Sequence, residues 1–372
     1  MKALTSNKKL LAAVLALLVI AAVVVVIVVT GQNKPAATTD EFTGENRVLY
    51  VYNWGEYIDK QVITDFEKKY NVTVNYSLYT SNEEMYTKLM TGAAYDIIIP
   101  SDYMIERLIK EGKLQKLDKK VVNNLGNLTD GVLNMAYDPD NSYSVPYLWQ
   151  TVGIVYDTTK ISPEEMEAQG FDAFRNPDYK GHVYMYDSER DGFMVALKAL
   201  GYSANTSDQA ELQAAFEWLR EMDKAVAPSY VTDEVIDAMA NGEKWMALVY
   251  SGDAAYILSE NKNMSYCTPK QGTNVAVDAM VIPANAANPE LANLFIKFIL
   301  DDEASRKISE EVGYASANKN ILTELSGPEG AYEGNVAYVP RAGYEKDEYY
   351  VDIPESLRSQ YSEMWIKVKL HE

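Results

Sequence analysis

After Lys2, Lys8 and Lys9 the chain runs apolar without a break from Leu10 to Val29. A run of about 20 apolar residues spans a bilayer as a helix, whereas a signal-peptide core has roughly 7–15. Residues 1–30 are therefore read as an uncleaved signal anchor, with a long cleaved signal peptide as the alternative. The basic residues ahead of the run keep the amino end cytoplasmic and send the remainder outside. No cysteine stands just after the run, so lipoprotein attachment is excluded. Residues 31–46 make a polar Pro/Ala/Thr tether, and the folded part starts at about Arg47.

From there the pattern alternates between strand and helix periods. Leu49 to Tyr52 is a β-favouring run that ends in the turn Asn53-Trp54-Gly55-Glu56-Tyr57. Residues 59–70 place Val62, Ile63, Phe66 and Tyr70 on one helical stripe, and Val72, Val74 and Tyr76 then alternate as a strand. Ser81-Asn82-Glu83-Glu84 is a capping box that opens a helix with Met85, Leu89 and Met90 inward. Residues 94–100 read as a buried parallel strand, with Ser101-Asp102-Tyr103 at its end and a helix beyond. Strand and helix thus alternate in a doubly wound order. Residues 143–149 and 153–156 read as two more strands, the second leading out of the first lobe.

A second series follows. Strand 179–187 leads through a polar stretch, 188–193, into a helix carrying Met194, Leu197 and Leu200. Helices are expected from Ser207 past Met222 and over 234–241, then a buried strand 245–250 that ends in Ser251-Gly252-Asp253. Strand 277–283 returns to the first lobe, and helices cover 288–300 and 355–370.

Composition narrows the function. Across 372 residues the formal net charge is −20, which makes nucleic acid a poor partner. Cys267 is the single cysteine, so no intrachain disulfide can form. His182 and His371 are the only histidines, and there is no G-x-S-x-G, no Gly-rich phosphate loop and no metal-ligand spacing. Catalysis, metal and cofactor are accordingly not expected. What recurs is an acid beside an aromatic at a strand end: Glu56 with Trp54 and Tyr57, Asp102 with Tyr103, Asp187 and Asp191 near Tyr186 and Phe193, Asp253 after Tyr250, and Asp278 among small residues. Each pair alone reads as a solvated loop acid beside a core ring. Several at corresponding strand ends of two lobes converge on the cleft between them, and that cleft suits a diamine or triamine. Carboxylates pair with its ammonium groups, and rings pack on its methylenes.

Residues 47–370 resemble the extracytoplasmic spermidine/putrescine-binding proteins of polyamine ABC importers. The likeness is carried by residues 49–57, 81–86, 94–103, 144–149 (Ser-Val-Pro-Tyr-Leu-Trp), 200–203, 282–286 and 312–314. The resemblance implies a two-lobed, type II periplasmic-binding-protein-like α/β fold, each lobe a mainly parallel sheet flanked by helices. The lobes would be 47–151 with 277–322, and 152–276 with 323–372. It implies no enzyme activity, a polyamine between the lobes, and partners in an ABC permease with its cytoplasmic ATPase. The family's pocket pattern maps onto Trp54, Glu56, Tyr57, Ser101, Tyr103, Asp191, Tyr250, Asp278 and Tyr314. Two positions depart from it. Ala276 stands where the family has tryptophan, removing a stacking wall worth about 1–3 kcal/mol. Ser188 stands where a second acid is often found. Both bear on which amine is preferred.

Overall fold

In a computed structural model describing residues 42–55 and 57–371, the run after the tether is strand β1 (Val48–Trp54), with Leu49, Val51 and Tyr52 buried. The apolar segment 10–29 and Glu56 lie outside the described residues. Among the described residues no helix is long and apolar enough to cross a membrane. Helix α1 (Lys60–Tyr70) is opened by the Asp59 carboxylate, which accepts the Gln61 N–H, and closed by Asn71 at φ 51°. Strand β2 (Thr73–Tyr79) returns parallel to β1.

Helix α2 (Asn82–Met90) is capped by Ser81, whose hydroxyl accepts the Glu84 N–H at 3.1 Å. The Glu84 carboxylate reaches back to the Thr80 N–H, one residue earlier than a capping box has it. Met85 is buried, but Met90, expected inward, is 40% exposed. At 3.6 residues per turn Met90 lies well round the helix from Met85 and Leu89.

Of the strand expected over 94–100, only β3 (Ile97–Ile98) is a regular strand. Ahead of it the Asp96 N–H still donates to the Tyr50 carbonyl at 2.8 Å, while the Asp96 carboxylate accepts the Tyr50 and Asn288 N–H groups at 2.9 and 2.6 Å. Helix α3 (Asp102–Lys110) follows. The two strands expected at 143–149 and 153–156 are one, β4 (Ser144–Asp157), buried along its whole length. Gln150, Thr151 and Val152 do not interrupt it because each keeps a strand partner: Ala276, Val275 and Tyr250 respectively.

The next series is α4 (Pro163–Gln169), β5 (Val183–Tyr186), α5 (Glu189–Ala199), α6 (Gln209–Val226), β6 (Ser229–Val231), α7 (Glu234–Ala240), β7 (Met246–Tyr250), α8 (Ser251–Glu260) and β8 (Met264–Cys267). The chain returns through β9 (Val275–Val281), α9 (Pro289–Ile299), α10 (Asp302–Val312), β10 (Ala315–Ser316) and α11 (Lys319–Ser326), and ends in α12 (Glu355–Lys369). One correction matters for the site. Residues 189–193, read as loop, already belong to α5, because the Ser188 hydroxyl accepts the Asp191 N–H and starts the helix there. Asp191 is thus a first-turn helix residue.

The strands run β2-β1-β3-β9-β4-β7-β5-β6, with β8 and β10 also on β4. β1 pairs in parallel with β2 and β3, and β5 with β6 and β7. Between these two parallel groups β9 and β4 run antiparallel to each other. β4 is shared: Ser144–Thr151 pairs with β9, and Val152–Tyr156 with β7. The result is a mixed sheet flanked by helices, with an apolar core under each group. One core gathers Tyr52, Tyr79, Met85 and Ile98; the other gathers Phe171, Phe174, Phe193 and Leu219.

Candidate ligand-binding site

Strand β9 carries Asp278 opposite Leu148 of β4, and the residue also bridges to Ser101 just beyond β3. Asp278 is 3% exposed. Its Oδ2 accepts the Tyr57 hydroxyl at 2.6 Å, while the Tyr57 carbonyl accepts the Tyr147 hydroxyl at 2.6 Å. Its other oxygen, Oδ1, is buried without a hydrogen-bond partner among the described residues. Burial pushes the Asp278 carboxyl above its ordinary range; the Tyr57 hydroxyl and the Ser101 side chain oppose the shift. Burial and then the Asp278 charge push the Tyr57 phenol well up, so it stays a donor.

A second acid is held differently. Asp191 on α5 accepts the Tyr250 hydroxyl at Oδ2 (2.7 Å) and the Tyr350 hydroxyl at Oδ1 (2.8 Å), so both oxygens are engaged. Tyr314, beside Gly313 at the end of α10, donates to Asp253 Oδ1 at 2.8 Å, and its ring meets the edge of Tyr57 at 5.2 Å. Burial raises the Asp253 carboxyl to about 7, against the Tyr314 hydrogen bond.

The remaining expected residues line the first strand group. Trp54 donates its indole N–H to the Ile99 carbonyl at 2.9 Å, and the Tyr79 hydroxyl donates to the same oxygen at 2.7 Å. The two rings lie tilted at 4.6 Å, which fixes the indole at the end of β1. Asn82 donates to both the Ser101 hydroxyl (3.1 Å) and the Tyr103 hydroxyl (3.0 Å), and Tyr103 donates to Glu83 at 3.0 Å. Arg190, from α5, reaches across to the face of Tyr103 at 5.8 Å and sits over Tyr350 at 4.4 Å. The structure therefore joins Tyr57, Asp278, Tyr314 and Asp253 into one network, and Tyr250, Asp191 and Tyr350 into another.

A model of the bacterial extracellular solute-binding proteins matches residues 61–333. The chain belongs to that family. The spermidine/putrescine-binding periplasmic protein of Salmonella typhimurium is 35% identical over 327 residues, 87% of this chain and 92% of its own. The solved spermidine/putrescine ABC transporter substrate-binding protein PotD from Streptococcus pneumoniae is 31% identical with a TM-score of 0.76, covering 87% of this chain and 99% of that one. The TpPotD lipoprotein of Treponema pallidum is 27% identical with a TM-score of 0.75, covering 86% and 99%.

This solute-binding protein is extracytoplasmic, like its periplasmic relatives, and is not an enzyme. Its two histidines lie elsewhere: His182 stacks on Trp245 at 4.0 Å, and the exposed His371 contacts Asp223 through its ring nitrogen.

Some groups around the site carry no signal in the sequence of this solute-binding protein. Tyr350 lies in an irregular stretch before α12, where no periodicity points inward. Tyr147 reads only as a strand residue. Conversely Asp187, grouped with the acids of the cleft, accepts the Trp365 indole N–H and the Lys369 ammonium of α12, at 2.8 Å each. The small Gly192, whose Cβ would strike Trp365, accommodates that packing.

Proposed function

We propose that this chain is the substrate-binding component of a polyamine ABC import system. The ligand, a linear polyamine of the putrescine/spermidine class, binds between lobes 47–151 with 277–322 and 152–276 with 323–372. One observation carries the reading: Asp278 Oδ1 is buried without a hydrogen-bond partner among the described residues, while Oδ2 is held by Tyr57, whose ring packs against Tyr314. A buried carboxylate oxygen without a donor costs about 1–3 kcal/mol or more, and an alkylammonium ion supplies both the donor and the charge. The rings around it suit methylenes and offer π faces to the cation. The names of the relatives point to the same ligand class. Ligand draws the lobes together about the shared strand β4, and the closed form docks on a permease driven by a cytoplasmic ATPase. The segment 10–29 tethers the chain to the membrane.

A second reading keeps the site and changes the solute. Ala276, small and 8% exposed, lies two residues from Asp278 on the same strand face, so a solute there meets a methyl group and not a ring. Isothermal titration of the purified full-length chain with putrescine, spermidine, spermine, agmatine and neutral diols decides between them. Saturable polyamine binding that Asp278→Asn abolishes is the expected result. Binding untouched by that change would overturn the site. Binding of agmatine alone would favour the second reading.

A further inference from the structure

The middle of β4 holds a polar atom without a hydrogen-bond partner among the described residues. Gln150 is 9% exposed, and its side-chain Oε1 is buried without a hydrogen-bond partner among the described residues. Its position is set by register. Gln150 pairs with Ala276 of β9, and directly paired residues of an antiparallel ladder project to the same face. Successive side chains alternate, so Asp278, two residues beyond Ala276, shares that face. On the other edge of β4, Val152 pairs with Tyr250 of β7, and Val152 lies two residues from Gln150, again on the same face. Ala315 pairs with Trp149, and one further step of that register sets Tyr314 beside Gln150. The amide thus lies at the centre of a face bounded by Asp278, Tyr250 and Tyr314, with the smallest apolar side chain, Ala276, directly across.

A buried amide oxygen left without a donor is costly. Inside a sheet of matched partners it points to a ligand that supplies one. Asp278 offers its free oxygen to one end of an extended cation. Gln150, the diagonal neighbour at about 7–8 Å, faces the body of that cation. Resting on the polyamine reading above, we propose that Gln150 accepts a hydrogen bond from an internal ammonium of the ligand. This makes it a specificity-determining residue that favours a triamine over a diamine. Ala276 is the complement of this arrangement: a ring at that position would cover the amide and turn the middle of the site from a hydrogen-bonding surface into a stacking one.

The test compares spermidine and putrescine on the full-length chain by titration calorimetry, with thermal unfolding as the check on folding. Gln150→Met, of similar size and without an acceptor, is expected to weaken spermidine binding by about tenfold to a hundredfold, the range for a hydrogen bond to a charged group. Putrescine, with no internal nitrogen, is expected to lose much less. Gln150→Glu, which restores an acceptor at the same reach, is expected to keep spermidine binding and serves if the Met variant does not fold. Unchanged spermidine affinity in Gln150→Met would overturn the proposal. So would equal losses for both amines, or a Glu variant that folds and no longer prefers spermidine. If the unmodified chain binds neither amine, the polyamine reading itself fails; if it binds both and only the Gln150 variants behave otherwise than expected, that reading stands and this one falls.

Discussion

Tyr57 and Asp278, 221 residues apart in the chain, meet at 2.6 Å between a phenolic hydroxyl and a carboxylate oxygen. The contact ties the turn after β1 to the middle of β9, and the Tyr147 hydroxyl on the Tyr57 carbonyl holds the turn from behind. Tyr57→Phe removes the hydroxyl that donates to Asp278 Oδ2. Without it the Asp278 carboxyl rises further, since the hydroxyl is the larger of the two effects holding it down. The variant is expected to bind a cationic ligand about tenfold or more weakly. The loss should grow as pH falls, because a greater share of the carboxyl must then give up its proton on binding. Titration over a pH series checks both claims; a loss that does not vary with pH would show that Tyr57 acts only through shape.

Three carboxyls around the site are raised by burial: Asp102, Asp278 and, to about 7, Asp253. A carboxyl raised on folding means that the folded chain holds protons the unfolded chain has already released. Stability then falls as pH rises from the unfolded value near 4 through the folded one. The ligand-free protein is expected to melt at a higher temperature at pH 5 than at pH 8. Asp253→Asn should flatten the part of that slope lying below about pH 7. Melting curves between pH 4.5 and 8 provide the measurement, and a rise in stability across that window would contradict the assignment.

Gly252 in the first turn of α8 has ordinary backbone angles, so the demand for glycine is steric. A Cβ there would lie 2.1 Å from the Tyr314 ring, which cannot yield because it is bonded to Asp253 and packed on Tyr57. Gly252→Ala is expected to destabilise the fold by about 1–3 kcal/mol, the usual range for overpacking. Ligand affinity should fall with it. If Tyr314→Leu in the same chain restores the melting temperature, the clash is with the ring.

These relationships differ in how far the sequence announces them. Strand ends bearing acids and rings are visible because buried parallel strands are apolar runs with abrupt polar termini; Tyr57 and Ser101, just past β1 and β3, do meet Asp278, but Asp278 stands in the middle of β9 and not at a strand end. The continuity of β4 through Gln150 is not visible. A polar residue inside an apolar run normally signals a break, and only the partner strands reveal that the ladder continues. Asp191 was legible as an acid near a strand end. Its place inside a helix depends on Ser188 as the cap, a residue that reads first as a missing acid. Tyr350 lies in a stretch with no period of its own, so its hydrogen bond to Asp191 is a purely tertiary fact.

Asp191 holds one tyrosine on each oxygen, Tyr250 at 2.7 Å and Tyr350 at 2.8 Å, so the two donors share a single charge. Tyr250→Phe and Tyr350→Phe should each destabilise the protein, and the double variant should differ from the sum of the two. Coupling of about 0.5–3 kcal/mol is expected for partners in one network. Denaturant unfolding of the four forms measures it. Strict additivity would mean that the two hydroxyls do not act through the carboxylate.

Ala276→Trp carries the sharpest consequence of the pairing between β4 and β9. Read alone, the small residue is a missing wall, and adding a ring should strengthen the site. The structure places Gln150 directly opposite, on the same face and buried, so the space is not simply vacant. The indole must displace the amide or be displaced by it. Ala276→Trp by itself is therefore expected to lower stability by about 1–3 kcal/mol through overpacking. Paired with Gln150→Ala, which clears the opposite position, the tryptophan should be accommodated and most of the stability recovered. Binding should change in character as well: the double variant offers a ring and no acceptor, so its preference for spermidine over putrescine should shrink while its affinity for both is retained. Melting temperatures of the two single variants and the double variant, with titration of both amines, settle the matter. A single Ala276→Trp chain that folds as well as the native one and binds more tightly would show that the two positions do not compete for the same space.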